Sequence, residues 1–242
     1  MIMAFDFQAL RRDYPLAKVA SDAGVRLRKS QNNQIGCCPF HPDRSPSFVI
    51  WPDQTFHCFG CSAHGDVIDF VSRSRNLKAA EAIAFLTGGD APTLTDEDRR
   101  QLDQERKEAE KRRAAHEAAA KAEAAKRWAE AKPINGVPNA YLTRKQIAPY
   151  GARQEGDWLL LPIYDADGAI TSVQTVSPII GGPKYFHPGA PVSGGRLMLG
   201  DETPALIICE GFATGASIHM ALDGQTQVCV AFSKSNVDRL AR

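Results

Sequence analysis

The feature that most constrains this chain is a set of four soft metal ligands at fixed spacing: Cys38-x2-His41, sixteen residues, then Cys58-x2-Cys61. Each short-spaced pair is a tight turn that presents two ligands on one side. Two such turns close a tetrahedron of the kind Zn²⁺ prefers. With four protein ligands no coordination position stays open, so the expected metal is structural and not catalytic. The segment around it has little apolar sequence, so its folding should depend on the ion. Cys37 competes for the first position, but Cys38 has the two-residue spacing to His41, which leaves Cys37 as a bystander. His57 and His64 lie close by in sequence, and His64 is the reserve ligand.

The remaining cysteines, Cys209 and Cys229, are far apart in sequence. The N-terminus, MIMAFDFQALRRDYP, lacks the charged start and long apolar stretch of a signal peptide. No apolar run reaches the roughly 18 residues a membrane-spanning helix needs. A cytosolic protein without a membrane partner is expected, and in that reducing setting short-spaced cysteines mean metal before disulfide. The 29 Lys plus Arg almost balance the 28 Asp plus Glu. That total neither supports nor excludes a nucleic-acid partner, because a basic patch can sit inside a balanced sum.

Composition divides the chain. Residues 5–24 have helical patterning interrupted at Pro15 and stopped at Gly24. Ser47–Trp51 and Gln54–Cys58 have the pattern of two short strands around a Pro52-Asp53 turn. Helices are expected over Asp66–Ser74 and Leu77–Leu86, the latter closed by Gly88-Gly89. Residues 95–131 are almost wholly Ala, Glu, Lys, Arg, Asp and Gln, a composition for one long helix of roughly 55 Å. Thr95 and Asp98 form its capping box. Large apolar residues are nearly absent, so this helix is expected to stay out of any core as a solvated linker, with a nucleic-acid surface as the functional alternative. Beyond Pro133, Tyr141-Leu142 falls in a short helix, and Trp158–Tyr164 and Ala169–Val176 form a hairpin. Ala205–Cys209, Thr214–Leu222 and Gln227–Phe232 spell strand, helix, strand, with buried parallel strands. The class is α+β, and there is no internal repeat.

Three further groups draw attention. Phe40, Phe48, Trp51, Phe56 and Phe59, with Arg44, surround the metal ligands. Aromatic rings beside a base suit single-stranded nucleic acid, and they equally suit packing of a small ribbon. Phe40, Phe48 and Phe56 are expected in the core, and Arg44 and Trp51 are the candidates for DNA contact. Glu210 ends an apolar strand and is followed by Gly211, a position where α/β sheets bind ligands. It could hold Mg²⁺ there, or it could cap the next helix. Asp165 and Asp167, in the sequence DADG, are a turn and not a metal pair.

CPFHPDRSPSF (38–48) followed by FHCFGCSAHGDVIDF (56–70) resembles the zinc-binding domain of bacterial and phage DNA primases, over roughly residues 5–90. YLTRKQI (141–147), LLPIYDADGAI (160–170), GGPKYFHPG (181–189) and IICEGFATGASI (207–218) are similar to the catalytic core of phage- and plasmid-type primases. The resemblance implies a zinc-binding domain at 1–93, a helical linker at 94–132, an N-terminal core subdomain at 133–200 and the start of a toprim domain at 201–242. It implies Cys38, His41, Cys58 and Cys61 as zinc ligands, Glu210 near a catalytic Mg²⁺ or Mn²⁺, and Lys184 facing nucleotide or template. The implied activity is synthesis of short RNA primers from ribonucleoside triphosphates on single-stranded DNA, with a replicative helicase as partner. The family's second acidic motif, Asp-x-Asp, has no match in VCVAFSKSNVDRLAR, and Asp238 does not fit it. A fragment of a primase is therefore expected. A non-catalytic, zinc-dependent single-stranded DNA-binding module is the alternative.

Overall fold

The computed structural model describes residues 5–241 apart from 31, 44, 45, 62, 135 and 137. The chain folds as two compact units, Met1–Lys111 and Arg112–Arg242.

In the first unit, α1 (Phe7–Asp13) and α2 (Leu16–Asp22) meet at Pro15, whose φ of −57° suits the N-cap of α2. Five short strands follow: β1 (Arg28–Ser30), β2 (Asn33–Gly36), β3 (Phe48–Ile50), β4 (Phe56–Cys58) and β5 (His64–Gly65). Each pairs antiparallel with the next. Phe48, Ile50, Phe56 and Cys58 point to the core by the two-residue period of a strand. There Phe40, Phe48, Phe56 and Phe70 pack ring to ring at 5.1–6.1 Å. Phe70 comes from α3 (Val67–Arg75), whose N-terminus is closed by a reciprocal Asp66–Asp69 capping box. α4 (Ala79–Thr87) ends at Gly88 in the left-handed region.

One helix, α5 (Asp96–Glu130), accounts for the charged stretch. Its start is fixed as expected: the Asp98 N–H donates to the Thr95 hydroxyl, and the Thr95 N–H donates to the Asp98 carboxylate. The expectation that it avoids a core is corrected at both ends. Leu102 is buried in the core of the first unit. Beside it, Arg11 bridges Asp66 at 2.7 Å and Glu105 at 2.6 Å. In the second unit, Ala120, Ala124, Trp128 and Ala131 form a buried stripe against Leu160, Val173 and Ala190. Spacings of four, four and three put them on one helical face. The stripe is mostly alanine, so it disappears into an alanine-rich composition.

That stripe covers a five-stranded antiparallel sheet in the order β10-β9-β8-β7-β6. Its strands are β6 (Lys132–Pro133), β7 (Arg153–Glu155), β8 (Trp158–Tyr164), β9 (Ile170–Val176) and β10 (Lys184–Phe186), with α6 (Ala140–Lys145) between β6 and β7. The β8–β9 turn is the expected one: Asp165 accepts the N–H groups of Asp167 and Ala169. On the opposite face, Leu159, Leu161 and Ile163 pack with Tyr141, Phe212 and Val230. A smaller sheet in the order β11-β13-β12 contains β11 (Leu197–Leu199), β12 (Leu206–Cys209) and β13 (Gln227–Val230). β12 and β13 are parallel and joined through α7 (Phe212–Ala221), the strand–helix–strand unit read from sequence. α8 (Lys234–Leu240) follows and was not anticipated. The α+β class holds.

The alanine stripe gives a test. Ala124→Glu forces a charge against Leu160 and should destabilise the second unit by about 2–4 kcal/mol, whereas Ala118→Glu on the exposed face should stay within about 0.5 kcal/mol. Urea denaturation followed by circular dichroism measures both.

Candidate metal centre

The β3–β4 hairpin and the loop before it bring the four sequence-predicted ligands together. The ligand atoms of Cys38, His41, Cys58 and Cys61 all lie within 4.8 Å of one another. Cys38 Sγ is 3.8 Å from Cys61 Sγ, and Cys58 Sγ is 3.8 Å from His41 Nδ1. A tetrahedron with Zn–S bonds of about 2.3 Å has edges of about 3.8 Å, so the donor set fits a zinc ion. Among the described residues no other such group of metal-ligating side chains occurs. Cys37 is exposed and outside the cluster, and His64 lies on β5 and is not in it either.

The turns that carry these ligands are built for thiolates. Cys58 Sγ accepts the N–H groups of Gly60 and Cys61, both at 3.3 Å, and Cys38 Sγ accepts that of Phe40 at 3.4 Å. The Asp43 carboxylate accepts the Cys38 N–H at 2.8 Å and the Ser47 hydroxyl at 2.6 Å, while Ser47 Oγ sits 3.3 Å from Cys58 Sγ. Gly60 admits His41: a Cβ there would stand 2.7 Å from Nε2. The hydrogen bond with Cys38 pulls the Cys58 thiol down to about 5, helped by Ser47 and the two N–H groups and opposed by burial. The same bond, then burial, pushes Cys38 up, and burial raises Cys61. Metal uptake at neutral pH therefore displaces protons from the cluster.

The face of the sheet opposite the core carries a second group. Val49, His57 and His64 are cross-strand partners on β3, β4 and β5. The His57 ring lies 6.3 Å from Trp51 in a near-parallel stack, 4.7 Å from Phe59 and 6.2 Å from His64. Phe59 is 40% exposed. Sequence reasoning singled out Trp51 for nucleic-acid contact, but named Phe59 only among the surrounding aromatics and His57 and His64 only as neighbours of the metal ligands, His64 as the reserve ligand. The period-two alternation, which sends Phe56 and Cys58 to the core, puts His57 on the opposite side of β4, where its ring is buried among these neighbours. Arg44 lies outside the described residues.

In the second unit Glu210 is exposed at the C-terminal end of β12 and makes no hydrogen bond or ion pair among the described residues. Gly211, not Glu210, occupies the N-cap of α7. Lys184 opens the edge strand β10 and is exposed. No helix is long and apolar enough to cross a membrane among the described residues.

Three substitutions probe the centre. Cys58→Ser should abolish zinc binding and the fold of residues 5–111, while Cys37→Ser should retain one zinc per chain. Gly60→Ala should weaken zinc about 10- to 100-fold by displacing His41. Competition with a chromophoric chelator, alongside circular dichroism, reads all three.

Residues 3–101 match the CHC2 zinc finger family. A DNA primase of Neisseria meningitidis is 46% identical over 66 residues, and one of Escherichia coli is 44% identical over 66 residues. Each alignment covers 27% of this chain and 11% of the relative. A DNA primase of Chlamydia trachomatis is 40% identical over 63 residues, covering 26% and 11%. The aligned segment thus spans about a tenth of these relatives. The crystal structure of the zinc binding and RNA polymerase domains of the Aquifex aeolicus primase is similar over 99% of this chain and 70% of that one, at 18% identity and a TM-score of 0.37. The segment that holds the four ligands is thus similar to the CHC2 zinc finger family and to a part of proteins named DNA primase.

Proposed function

We propose that the chain works in primer synthesis, its zinc unit holding single-stranded template and its second unit contributing to the joining of ribonucleoside triphosphates. The observation that carries this reading is the zinc cluster backed by a sheet whose outer face groups Trp51, Phe59 and His64 around a buried His57. Rings of this kind stack on unpaired bases regardless of sequence. The zinc ion holds that sheet in shape and takes no part in chemistry, since its four positions are filled.

Glu210 is the proposed catalytic carboxylate. Its position at the end of a parallel strand, with Gly211 next, leaves room for a phosphate. Mg²⁺ is commonly bound by one or two carboxylates with waters and substrate phosphates completing the shell, which a lone exposed Glu210 fits. Bound there, Mg²⁺ or Mn²⁺ would supply charge stabilisation to phosphoryl transfer. Lys184 is proposed to pair with a phosphate of nucleotide or template. A replicative helicase is the proposed partner. The relatives' shared name, DNA primase, supports the reading.

A second reading, a zinc-dependent single-stranded DNA-binding module without catalysis, is favoured by one observation. Among the described residues Glu210 belongs to no cluster of metal-ligating side chains.

Two measurements separate them. Incubation with single-stranded template, ribonucleotides and Mg²⁺ should yield short labelled RNA, lost in Glu210→Gln. DNA binding without RNA product in the wild type would favour the second reading. Trp51→Ala should weaken oligonucleotide binding by about 1–3 kcal/mol in fluorescence anisotropy.

A further inference from the structure

The small sheet of the second unit ends in a row of three side chains on the face away from α7. Leu199, Cys209 and Val230 face α7, since a Cβ on Gly215 would stand within 3.4 Å of each. By the two-residue period of a strand, Arg196, Ala231 and Glu210 point to the other face. Leu197 and Cys209 both pair with Val230, so one residue further along Arg196 and Glu210 both stand beside Ala231. The row reads guanidinium, methyl, carboxylate, its outer members two strand spacings of about 4.8 Å apart.

This row is pinned. Arg196 N–H donates to the Tyr164 carbonyl at 2.8 Å, and its carbonyl accepts the Tyr164 N–H at 2.9 Å. The buried Asn236 amide donates to the carbonyls of Gly195 at 2.6 Å and Ala231 at 2.8 Å. One side chain thus ties the start of β11 to the end of β13. The chain then turns at once: Ser233 N–H donates to the Ala231 carbonyl at 2.9 Å across Phe232, which has φ +65°. So tight a turn with a positive φ on a non-glycine residue is strained, and such strain gathers at functional sites.

Arg196 is half-buried, and its guanidinium makes no hydrogen bond or ion pair among the described residues. Burial pushes the Cys229 thiol up and Arg196 opposes it, in keeping with a guanidinium on the Cys229 face. Arginine is seldom withdrawn from water without a partner. A ligand can supply that partner, and Glu210 at the far end of the row narrows its class. A bare anion would be repelled by the carboxylate, whereas phosphates carrying Mg²⁺ satisfy both ends.

We propose that Arg196 binds the phosphate chain of a nucleoside triphosphate whose Mg²⁺ is held at Glu210. The proposal rests on the reading of Glu210 as a metal carboxylate and adds the residue that takes the anionic end of the substrate. The guanidinium fork matches two phosphate oxygens at once. Asn236 is a positioning residue that sets Arg196 in the row.

Isothermal titration of the zinc-loaded chain with inorganic pyrophosphate in Mg²⁺ tests this. Arg196→Gln should weaken binding at least about tenfold. Arg196→Lys should fall between it and the wild type, because the charge stays and the fork is lost. Arg239→Gln, at an exposed arginine on α8, should change nothing. Glu210→Gln should remove the Mg²⁺ dependence. Circular dichroism melting checks each fold, and Arg196→Lys decides if Arg196→Gln does not fold. Wild-type affinity in the folded Arg196 variants, with Mg²⁺ dependence still lost in Glu210→Gln, overturns the Arg196 contact and leaves Glu210 standing. Mg²⁺ dependence that survives Glu210→Gln, with Arg196→Gln still weakened, overturns the Glu210 reading and not the Arg196 contact. Weakened oligothymidylate binding in Arg196→Gln, with pyrophosphate binding unchanged, makes a phosphodiester backbone the ligand and overturns the proposal. No pyrophosphate binding by the wild type overturns both.

Discussion

Four ligand atoms held on a small antiparallel sheet set the terms for the first unit. The sheet's strands are two to four residues long, too short to be stable by ladder hydrogen bonds alone. Zinc ties the loop before β3 to the turn after β4, and the N–H groups of Phe40, Gly60 and Cys61 are already aimed at sulfur. Behind this, one layer of phenylalanines supplies the apolar core. Metal on one side and aromatic packing on the other together fix the orientation of β4. They leave Trp51, Phe59 and His64 gathered around the buried His57 on the side of the sheet away from the phenylalanines.

The second unit depends on a different constraint. β8 is buried on both faces, so the sheet needs cover on each. One cover is the layer containing Phe212 and Val230, and the other is the alanine and tryptophan stripe of α5. Alanine lets a helix approach the sheet closely, and Trp128 fills the remaining space, with Arg153 over its ring at 4.6 Å. A helix that is highly charged on average can therefore be a structural layer along one edge of its surface.

The metal ligands were legible because their chemistry is tied to spacing, and the β8–β9 hairpin and the parallel β12–β13 pair because apolar runs and turn residues marked them. The role of α5 was not legible from composition, since alanines at four-residue intervals are hidden among other alanines. The signal that could have found it lies elsewhere, in WLLLPIY, whose unbroken apolar run demanded cover on both faces. β1 and β2 were missed because RKS and NQIG show no alternation, and β5 because two residues cannot show a period. The packing of Phe59 and His64 around His57 follows from register, which a sequence without its pairings does not display.

The central claim is that Cys38, His41, Cys58 and Cys61, and no others, close the coordination sphere of one zinc ion. X-ray absorption at the zinc edge on the loaded chain tests it most directly. The account predicts three sulfurs at about 2.3 Å and one nitrogen at about 2.0–2.1 Å. A shell of four sulfurs, of two nitrogens, or one containing a water oxygen would contradict it.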